Sequence, residues 1–235
     1  MMLAMLSEAW MAMWANRLRT ILTMLGMVIG VGAVILMLAV GQGAQQQVQE
    51  SIASMGSNLF IILSGSTTSG GMRMGGGAAP TLTVEDAQSI GELPLVASVA
   101  PSSPGTAQIV YGPNNWSTQV IGTTPSYLSV RDWRLASGMS FTDSDIRSAT
   151  RVALLGQTVA QNLFGDEDPV DKTIRIKNSP YLVLGVLEGK GQSLDGRDQD
   201  DTVLVPVTTA QRKLFGTQFV GTVRFIMAQA ESAES

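Results

Sequence analysis

The feature that most constrains this chain is a run without any charged residue from Thr20 to Val40. As an α-helix it would extend about 31 Å, close to the thickness of the hydrocarbon core of a bilayer. Its eleven Leu, Ile and Val residues contribute on the order of −3 to −6 kcal/mol to membrane insertion. The sequence therefore predicts a transmembrane helix over residues 20–41.

A cleaved secretory signal is the alternative interpretation of this run, with Ala39-Val40-Gly41 as the small-residue cleavage site. The apolar region of a signal peptide is normally about 7 to 15 residues long. The run in this chain is longer, which favours a retained anchor.

The charges beside the run predict its orientation. Arg17 and Arg19 immediately precede it, and the next basic residue is Arg73. The positive-inside rule then places the N-terminus in the cytoplasm and residues 42–235 on the periplasmic side of a bacterial inner membrane.

Residues 1–19 are predicted to form a cytoplasmic, interfacial, amphipathic helix. Residues 2–16 lack Gly and Pro, and Trp10 and Trp14 fall on one helical stripe. The stripe fits membrane lipid at headgroup level, and it equally fits a cytoplasmic partner. Periodicity leaves both interpretations open.

Small residues within the run predict a helix-packing face. Gly26 and Gly30 are four residues apart, and Ala33 follows on the same side of the helix. Small residues at this spacing let two membrane helices approach closely. The three positions are therefore candidates for contact with a second helix.

The composition argues against catalysis and against nucleic-acid binding. The chain has no cysteine and no histidine, so it lacks the commonest general base and the commonest metal ligands. We therefore expect no catalytic residue, no cofactor and no metal.

The net charge argues against nucleic-acid binding. Arg17, Arg19 and Glu8 are the charged residues before residue 42, so residues 42–235 carry a net charge of −5. Nucleic acid would require a basic face.

Beyond the membrane run, apolar patterning predicts an α+β fold with short strands and helices. The helix is expected to continue through residues 45–54, and Thr83 should cap a helix that ends near Leu93. Pro101 and Pro104 are expected to interrupt a strand. Strands are predicted over 58–63 (as a buried strand), 96–100, 107–111, 116–122, 152–155, 173–176, 181–187, 202–205 and 221–228, and further helices over 125–130, 157–164 and 208–215.

Two polar segments could be taken for a phosphate-binding loop and a calcium-binding loop, but neither has the residue pattern that such a loop requires. The glycine-rich residues 65–80 contain no Gly-Lys-Ser/Thr sequence, so a flexible loop is favoured over a phosphate-binding loop. The acidic residues 195–201 do not have the spacing of a calcium-binding EF-hand loop. A solvated loop is the better prediction there.

Several separated segments resemble the membrane subunits of MacB-type ABC transporters. The first begins with Asn16-Arg-Leu-Arg and runs through Gly26 and Gly30. Further segments are Leu155-Gly-Gln-Thr-Val-Ala-Gln-Asn-Leu-Phe-Gly165, Lys190-Gly-Gln-Ser193 and Asp198-Gln-Asp-Asp-Thr-Val-Leu-Val-Pro206. Because they occur in the right order over nearly the whole chain, the resemblance is specific.

The resemblance implies a single N-terminal transmembrane helix followed by a mixed α/β extracytoplasmic domain, residues 42–235, with two subdomains. A porter-like βαβ unit (44–112 and 217–235) would carry an inserted α/β subdomain (113–216). It also implies an ABC export (efflux) permease that transmits motion from a separate ATP-binding cassette subunit or domain. Its other implied partners are a periplasmic adaptor (membrane fusion) protein, an outer-membrane duct and a second permease copy.

The lack of a second apolar span in this sequence leaves functions other than transport to be considered. Members of that family continue into further membrane helices, whereas this sequence contains no second apolar span before Ser235. It is expected to be either part of a longer permease or a truncated relative. A single-span receptor or assembly scaffold with a ligand-binding or partner-binding outer domain is the second hypothesis, and an enzyme is the third.

Overall fold

The computed structural model describes residues 16–54, 58–66, 68–69, 72–73, 81–193, 196–216 and 221–231. The chain divides into two compact units, Met1–Glu50 and Ser51–Ser235. The predicted interfacial helix at residues 1–19 lies almost wholly outside the described residues.

Helix α1, Arg17–Ser54, is the main element of the first unit. Its 38 residues correspond to about 57 Å at 1.5 Å per residue. The helix includes the predicted span 20–41 and continues without a break through the predicted extension at 45–54. Both predictions are confirmed as helix.

The second unit is a mixed α/β domain. Its helices are α2 (Val84–Gly91), α3 (Ser126–Val130), α4 (Asp143–Ser148), α5 (Gln157–Phe164) and α6 (Val207–Thr209), which continues as a π-helix over Ala210–Phe215. Its strands are β1 (Leu59–Leu63), β2 (Thr68–Ser69), β3 (Met72–Arg73), β4 (Leu82–Thr83), β5 (Val96–Tyr111), β6 (Asn114–Thr123), β7 (Leu135–Gly138), β8 (Val152–Leu155), β9 (Thr173–Ile176), β10 (Ser179–Leu187), β11 (Thr202–Pro206), β12 (Thr222–Val223) and β13 (Phe225–Ala230).

Among the described residues, nine strands form one sheet in the order β1-β13-β5-β6-β11-β8-β10-β7, with β9 pairing to both β10 and β5. Strands β1 and β5 both pair antiparallel with β13. They therefore run parallel to each other, with α2 between them in the chain. This is a βαβ unit in which β13 lies between the two parallel strands, and it agrees with the βαβ unit that the family resemblance implies.

The strand pairings close a ring of six strands. The ring runs β5-β6-β11-β8-β10-β9 and returns to β5. Ile109 opposite Ile176 and Val110 opposite Arg175 make the closing contact. Closure removes free sheet edges around the ring, although short sheet extensions leave it at β1-β13 and at β7.

Alternate residues of the ring strands fill two hydrophobic clusters on opposite faces. On β8, Ala153 and Leu155 belong to one cluster, whereas Val152 and Leu154 belong to the other. Helix α5 covers the first cluster with Val159, Ala160, Leu163 and Phe164. A third cluster forms where Ala87 of α2 meets Val223 and Ile226. All four residues of β8 are buried, as expected for a strand covered on both faces.

The prediction that residues 58–63 form a buried strand is wrong in its burial. The segment is a strand, but β1 lies at the end of the sheet, and in the described part of the chain its one partner is β13. Phe60, Ile61 and Leu63 are each 57% exposed. An uninterrupted apolar run is equally compatible with an edge strand, because sequence does not state how many neighbours a strand has.

The expected interruption at Pro101 and Pro104 is also wrong, since β5 is one strand of 16 residues. The strand changes partner at this point: residues up to Ser102 pair with β13, and residues from Ser103 pair with β6. Pro101 therefore pairs with β13 and Pro104 with β6, so each proline has a neighbouring strand on one side. A proline can be tolerated there, because its missing N–H group can lie on the side without a neighbouring strand.

Other differences are smaller. The predicted helix 208–215 is helical but becomes a π-helix from Ala210, and the predicted strand 221–228 is divided into β12 and β13. Helix α2 ends two residues before the predicted Leu93. Within the glycine-rich segment 65–80, the described residues include the short paired strands β2 and β3. Strand β7 and helix α4 were not predicted.

Candidate functional site

Apolar side chains make up most of the membrane-length part of α1. Residues Arg17–Gln46 are long and apolar enough to cross a membrane, and in the described part of the chain nothing buries the apolar window. Val28, Leu36 and Met37 are 68%, 68% and 78% exposed. Such a helix requires either lipid or other helices around it.

The polar side chains near the start of the span bond to the helix itself. The Thr20 hydroxyl donates to the Asn16 carbonyl at 3.2 Å, and the Thr23 hydroxyl donates to the Arg19 carbonyl at 2.9 Å. Hydroxyls satisfied in this way lower the cost of placing threonine in hydrocarbon.

The predicted packing residues lie on this helix and are accessible. Positions Gly26 and Gly30 would accept a Cβ atom with no heavy atom within 4 Å, and Ala33 is exposed. Arg17 and Arg19, predicted to set the topology, are also exposed. Helix packing and orientation remain predictions.

The three separated segments of the outer domain that carry the resemblance meet in space. Asp200, which is 7% exposed, accepts hydrogen bonds from the backbone N–H groups of Lys190 and Gly191 at 2.7 and 2.8 Å. Asp198 accepts from the Thr158 hydroxyl at 2.6 Å. These carboxylates therefore tie residues 190–193 and helix α5 to the start of β11.

The glycine at position 156, in the segment Leu155–Gly165, is required by a close backbone contact. Its N–H group donates to the Thr202 carbonyl at 2.8 Å. A Cβ atom at this position would lie 2.1 Å from the Asp200 carbonyl oxygen. Only glycine fits between β8 and the residues leading into β11.

Residues that the sequence analysis did not single out complete this cluster. The Lys190 ammonium donates to the Arg131 carbonyl at 2.6 Å and lies 5.8 Å from the centre of the Trp133 ring. Burial lowers the pKa of Lys190, and the Arg131 charge adds to the effect. The Trp133 indole N–H donates to the Glu188 carbonyl at 2.6 Å. No spacing in the sequence connects residues 131–133 with residues 188–201, so only folding brings them together.

The acidic loop is held by protein groups. The Asp201 carboxylate accepts from the Trp116 indole N–H at 2.8 Å, and the Asp198 carboxylate also accepts from the Asp200 N–H at 2.9 Å. Across the described part of the chain, which omits Asp195, no three acidic, histidine or cysteine side chains group as metal ligands do. These bonds hold the acidic loop against β6 and the start of β11.

Comparison with known proteins gives the family. The sequence profile described as the MacB-like periplasmic core domain matches residues 20–235. The chain is 42% identical over 204 residues to a macrolide export ATP-binding/permease protein MacB from Syntrophobacter fumaroxidans, covering 86% of this chain and 28% of the relative. It is 39% identical over 211 residues to a pyoverdine export ATP-binding/permease protein PvdT from Pseudomonas syringae, covering 89% of this chain and 31% of the relative.

A solved structure gives the same fold. The crystal structure of the periplasmic region of MacB from Actinobacillus actinomycetemcomitans matches 78% of this chain and 79% of its own, with a TM-score of 0.62 and 22% sequence identity. The chain spans less than a third of the length of the two curated relatives. Because the family profile covers nearly the whole chain, the chain belongs to the family of the MacB-like periplasmic core domain.

Proposed function

We propose that this chain is the membrane-helix and periplasmic part of an ABC-type export permease, which transmits ATP-driven motion to the periplasm. The observation that carries the proposal is the unbroken helix Arg17–Ser54 in a chain that belongs to this family. A continuous helix resists bending, because a kink requires lost backbone hydrogen bonds. It can therefore pass a displacement along its length.

The division of labour follows from the same proposal. ATP hydrolysis belongs to a separate ATP-binding cassette subunit or domain, and this region does no chemistry of its own. The curated relatives are named as ATP-binding/permease proteins, which supports that arrangement. We further propose a periplasmic adaptor, an outer-membrane duct and a second permease copy as partners, with an inner-membrane location and a cytoplasmic N-terminus.

We propose two subdomains for residues 44–235: 44–112 with 217–235, and 113–216. The second compact unit, Ser51–Ser235, is the outer unit of the chain. The ring of strands supports this division, since five of its six strands lie within 113–216 and β5 is the sixth. Strand β5 would then connect the two subdomains directly.

The first test measures partners and export in the native cell. The protein, tagged at its chromosomal locus, is purified from its own membranes, and we expect an ABC ATPase to be part of the same polypeptide or to co-purify. Macrolides and pyoverdine are the cargoes to test first, since they are named for relatives. An outer domain that binds a ligand or partner in membranes without any associated ATPase would instead support the receptor or scaffold.

The second test breaks α1 just beyond the predicted span 20–41. Ala44→Pro removes a helix hydrogen bond and clashes with the preceding turn, at a cost of about 3 kcal/mol or more. Ala44→Leu is the matched control, because leucine is a good helix former and position 44 is exposed. We expect Ala44→Pro to reach the membrane at normal levels but to lose export, whereas Ala44→Leu exports normally. Equal export by both variants would contradict transmission through this helix.

A further inference from the structure

We propose that a cleft in the outer unit binds a small molecule that has an apolar body and one amine. The cleft is a space of about 390 Å³ between α2, β5, the Thr124–Ser126 segment and Asp143. Ligand sites in proteins are typically clefts of about 300 to 1,000 Å³, mostly apolar, with a few polar groups that fix orientation. This inference concerns a binding site and does not rest on the proposed export function.

The part of the cleft lining that comes from α2 and β5 is largely apolar. Pro101 of β5 and Ala87 of α2 are buried, and Val99 and Val84 are partly buried beside them. Helix α2 packs close to β5 because Gly91 faces Val99: a Cβ atom at Gly91 would lie 3.6 Å from a Val99 methyl group. These groups would hold the apolar body of a ligand through burial of apolar surface.

The hydroxyl hydrogens of Thr124 and Ser126, which also line the cleft, are already used. Ser126 donates to the Val99 carbonyl at 2.5 Å, so the 2.7 Å contact between the Thr124 and Ser126 hydroxyls has Thr124 as donor. These bonds attach the Thr124–Ser126 segment to β5. With both hydroxyl hydrogens used, Thr124 and Ser126 can only accept further hydrogen bonds.

Two polar side chains of the cleft keep their hydrogen-bonding capacity. Among the described residues, neither the Gln88 amide nor the Asp143 carboxylate makes a hydrogen bond, and Asp143 forms no ion pair. Asp143 is the ionisable residue of the lining. A carboxylate beside an apolar surface complements a single positive charge on an apolar body, and the Gln88 carbonyl can accept a second amine hydrogen.

The experiment measures binding to the whole chain in lipid nanodiscs by equilibrium dialysis, with empty nanodiscs as the blank. The probes are 1-naphthylmethylamine, its neutral match 1-naphthylmethanol and its anionic match 1-naphthylacetate. We expect saturable binding of the amine above the blank, at least threefold tighter than the alcohol, and exclusion of the acid. Equal partitioning of all three compounds would overturn the proposal.

Variants locate the binding. Asp143→Asn should weaken amine binding at least threefold and bring it to the level of the alcohol, whereas Asp166→Asn, the same charge change outside the cleft, should leave it unchanged.

Gly91→Leu should abolish binding of both amine and alcohol by filling the space above Val99. A thermal unfolding curve for each variant shows that it is folded. Unchanged amine binding in folded Asp143→Asn or Gly91→Leu would place the amine elsewhere and overturn the site. Export by the intact permease is measured separately, so a failure here leaves the proposed function untouched.

Discussion

At the scale of single residues, tight backbone contacts and buried hydroxyl groups explain why certain positions tolerate little change. Gly156 lies against the Asp200 carbonyl, and Thr118, which is 3% exposed, donates from its hydroxyl to the Asp201 carbonyl at 2.8 Å. Tyr181, by contrast, is fully buried, and its hydroxyl has no hydrogen-bond partner among the described residues. We therefore expect substitutions at Gly156 and Thr118 to lower the free energy of unfolding, and removal of the Tyr181 hydroxyl to leave it unchanged or raise it.

Gly156→Ala should lower the free energy of unfolding by about 1 to 3 kcal/mol, the usual range for overpacking. The clash would be with backbone atoms, so no side chain can rotate away. Thermal unfolding of the detergent-solubilised chain, followed by circular dichroism, measures the change. Gly91→Ala is the control, because its Cβ would make an ordinary 3.6 Å contact. The explanation is wrong if the two variants unfold alike.

Tyr181→Phe should leave stability unchanged or raise it by up to about 1 kcal/mol, because a buried hydroxyl without a partner is costly. Thr118→Val, which removes a bonded hydroxyl of similar burial, should cost about 1 to 3 kcal/mol. Chemical unfolding at neutral pH compares the two variants. A loss of stability in Tyr181→Phe as large as that in Thr118→Val would mean that the phenol has a partner.

The same phenol predicts an alkaline effect. Burial raises the pKa of Tyr181 from 10.0 to about 12. The unfolded chain therefore ionises this phenol from about pH 10 and the folded chain only near pH 12, so folding stability is unaffected by this group below about pH 10 and falls as the pH rises towards 12. Tyr181→Phe should therefore lose less stability over this interval than the natural chain. Identical alkaline curves for the two proteins would contradict the raised pKa.

At the scale of elements, end groups fix where the short helices start. Helix α2 begins with a capping box between Thr83 and Asp86, which fits the N-cap predicted from the sequence. Helix α4, which was not predicted, has the same arrangement between Thr142 and Asp145. The Asp145 carboxylate accepts from both the backbone N–H and the hydroxyl of Thr142 at 2.8 Å. The bond from the Thr142 backbone is the main reason that the pKa of Asp145 is lowered.

Asp145→Ala should lower the stability of the outer unit by about 0.5 to 2 kcal/mol at pH 7, as loss of a helix cap does. Because the pKa of Asp145 is lowered on folding, its contribution is present above the ordinary aspartate range and is lost as the pH falls through the folded value. The difference from the natural chain should therefore vanish in acid. Melting temperatures at pH 7, 5 and 3 measure it, with the exposed Asp166→Ala as a control that should show no such convergence. A constant difference at all three values would exclude the cap as its source.

At the scale of the whole molecule, the exposed apolar helix depends on its surroundings, whereas the closed ring of strands is stabilised by contacts within the chain. The helix is exposed along its apolar window, so its environment is set by lipid or by partner helices. The ring is stabilised by pairings between residues far apart in the chain, such as Ile109 with Ile176 and Gln119 with Thr202. Its stability should not depend on the membrane, whereas the orientation of the protein should.

Orientation can be measured directly, because the chain contains no cysteine. Single variants Ser7→Cys and Ser144→Cys are exposed to a membrane-impermeant maleimide, with the unmodified chain as the blank. Position 144 is exposed in the outer unit. We expect labelling of Ser144→Cys in intact spheroplasts and of Ser7→Cys only after lysis, since Arg17 and Arg19 should hold the N-terminus in the cytoplasm. The reverse pattern would contradict the predicted topology.

The sequence by itself determined those features that depend on neighbours along the chain. The uncharged run predicts the membrane-length helix, alternation and breakers predict strands such as Val152–Leu155, and Gly165 marks the end of α5. The segments that carry the family resemblance are also local. Only the tertiary structure decided which strands are edges, why β5 runs through Pro101 and Pro104, and how Arg131 and Trp133 meet Lys190. The cleft beside Asp143 is likewise a product of packing. These features depend on which distant segments become neighbours, and local periodicity has no information about pairings made across a hundred residues.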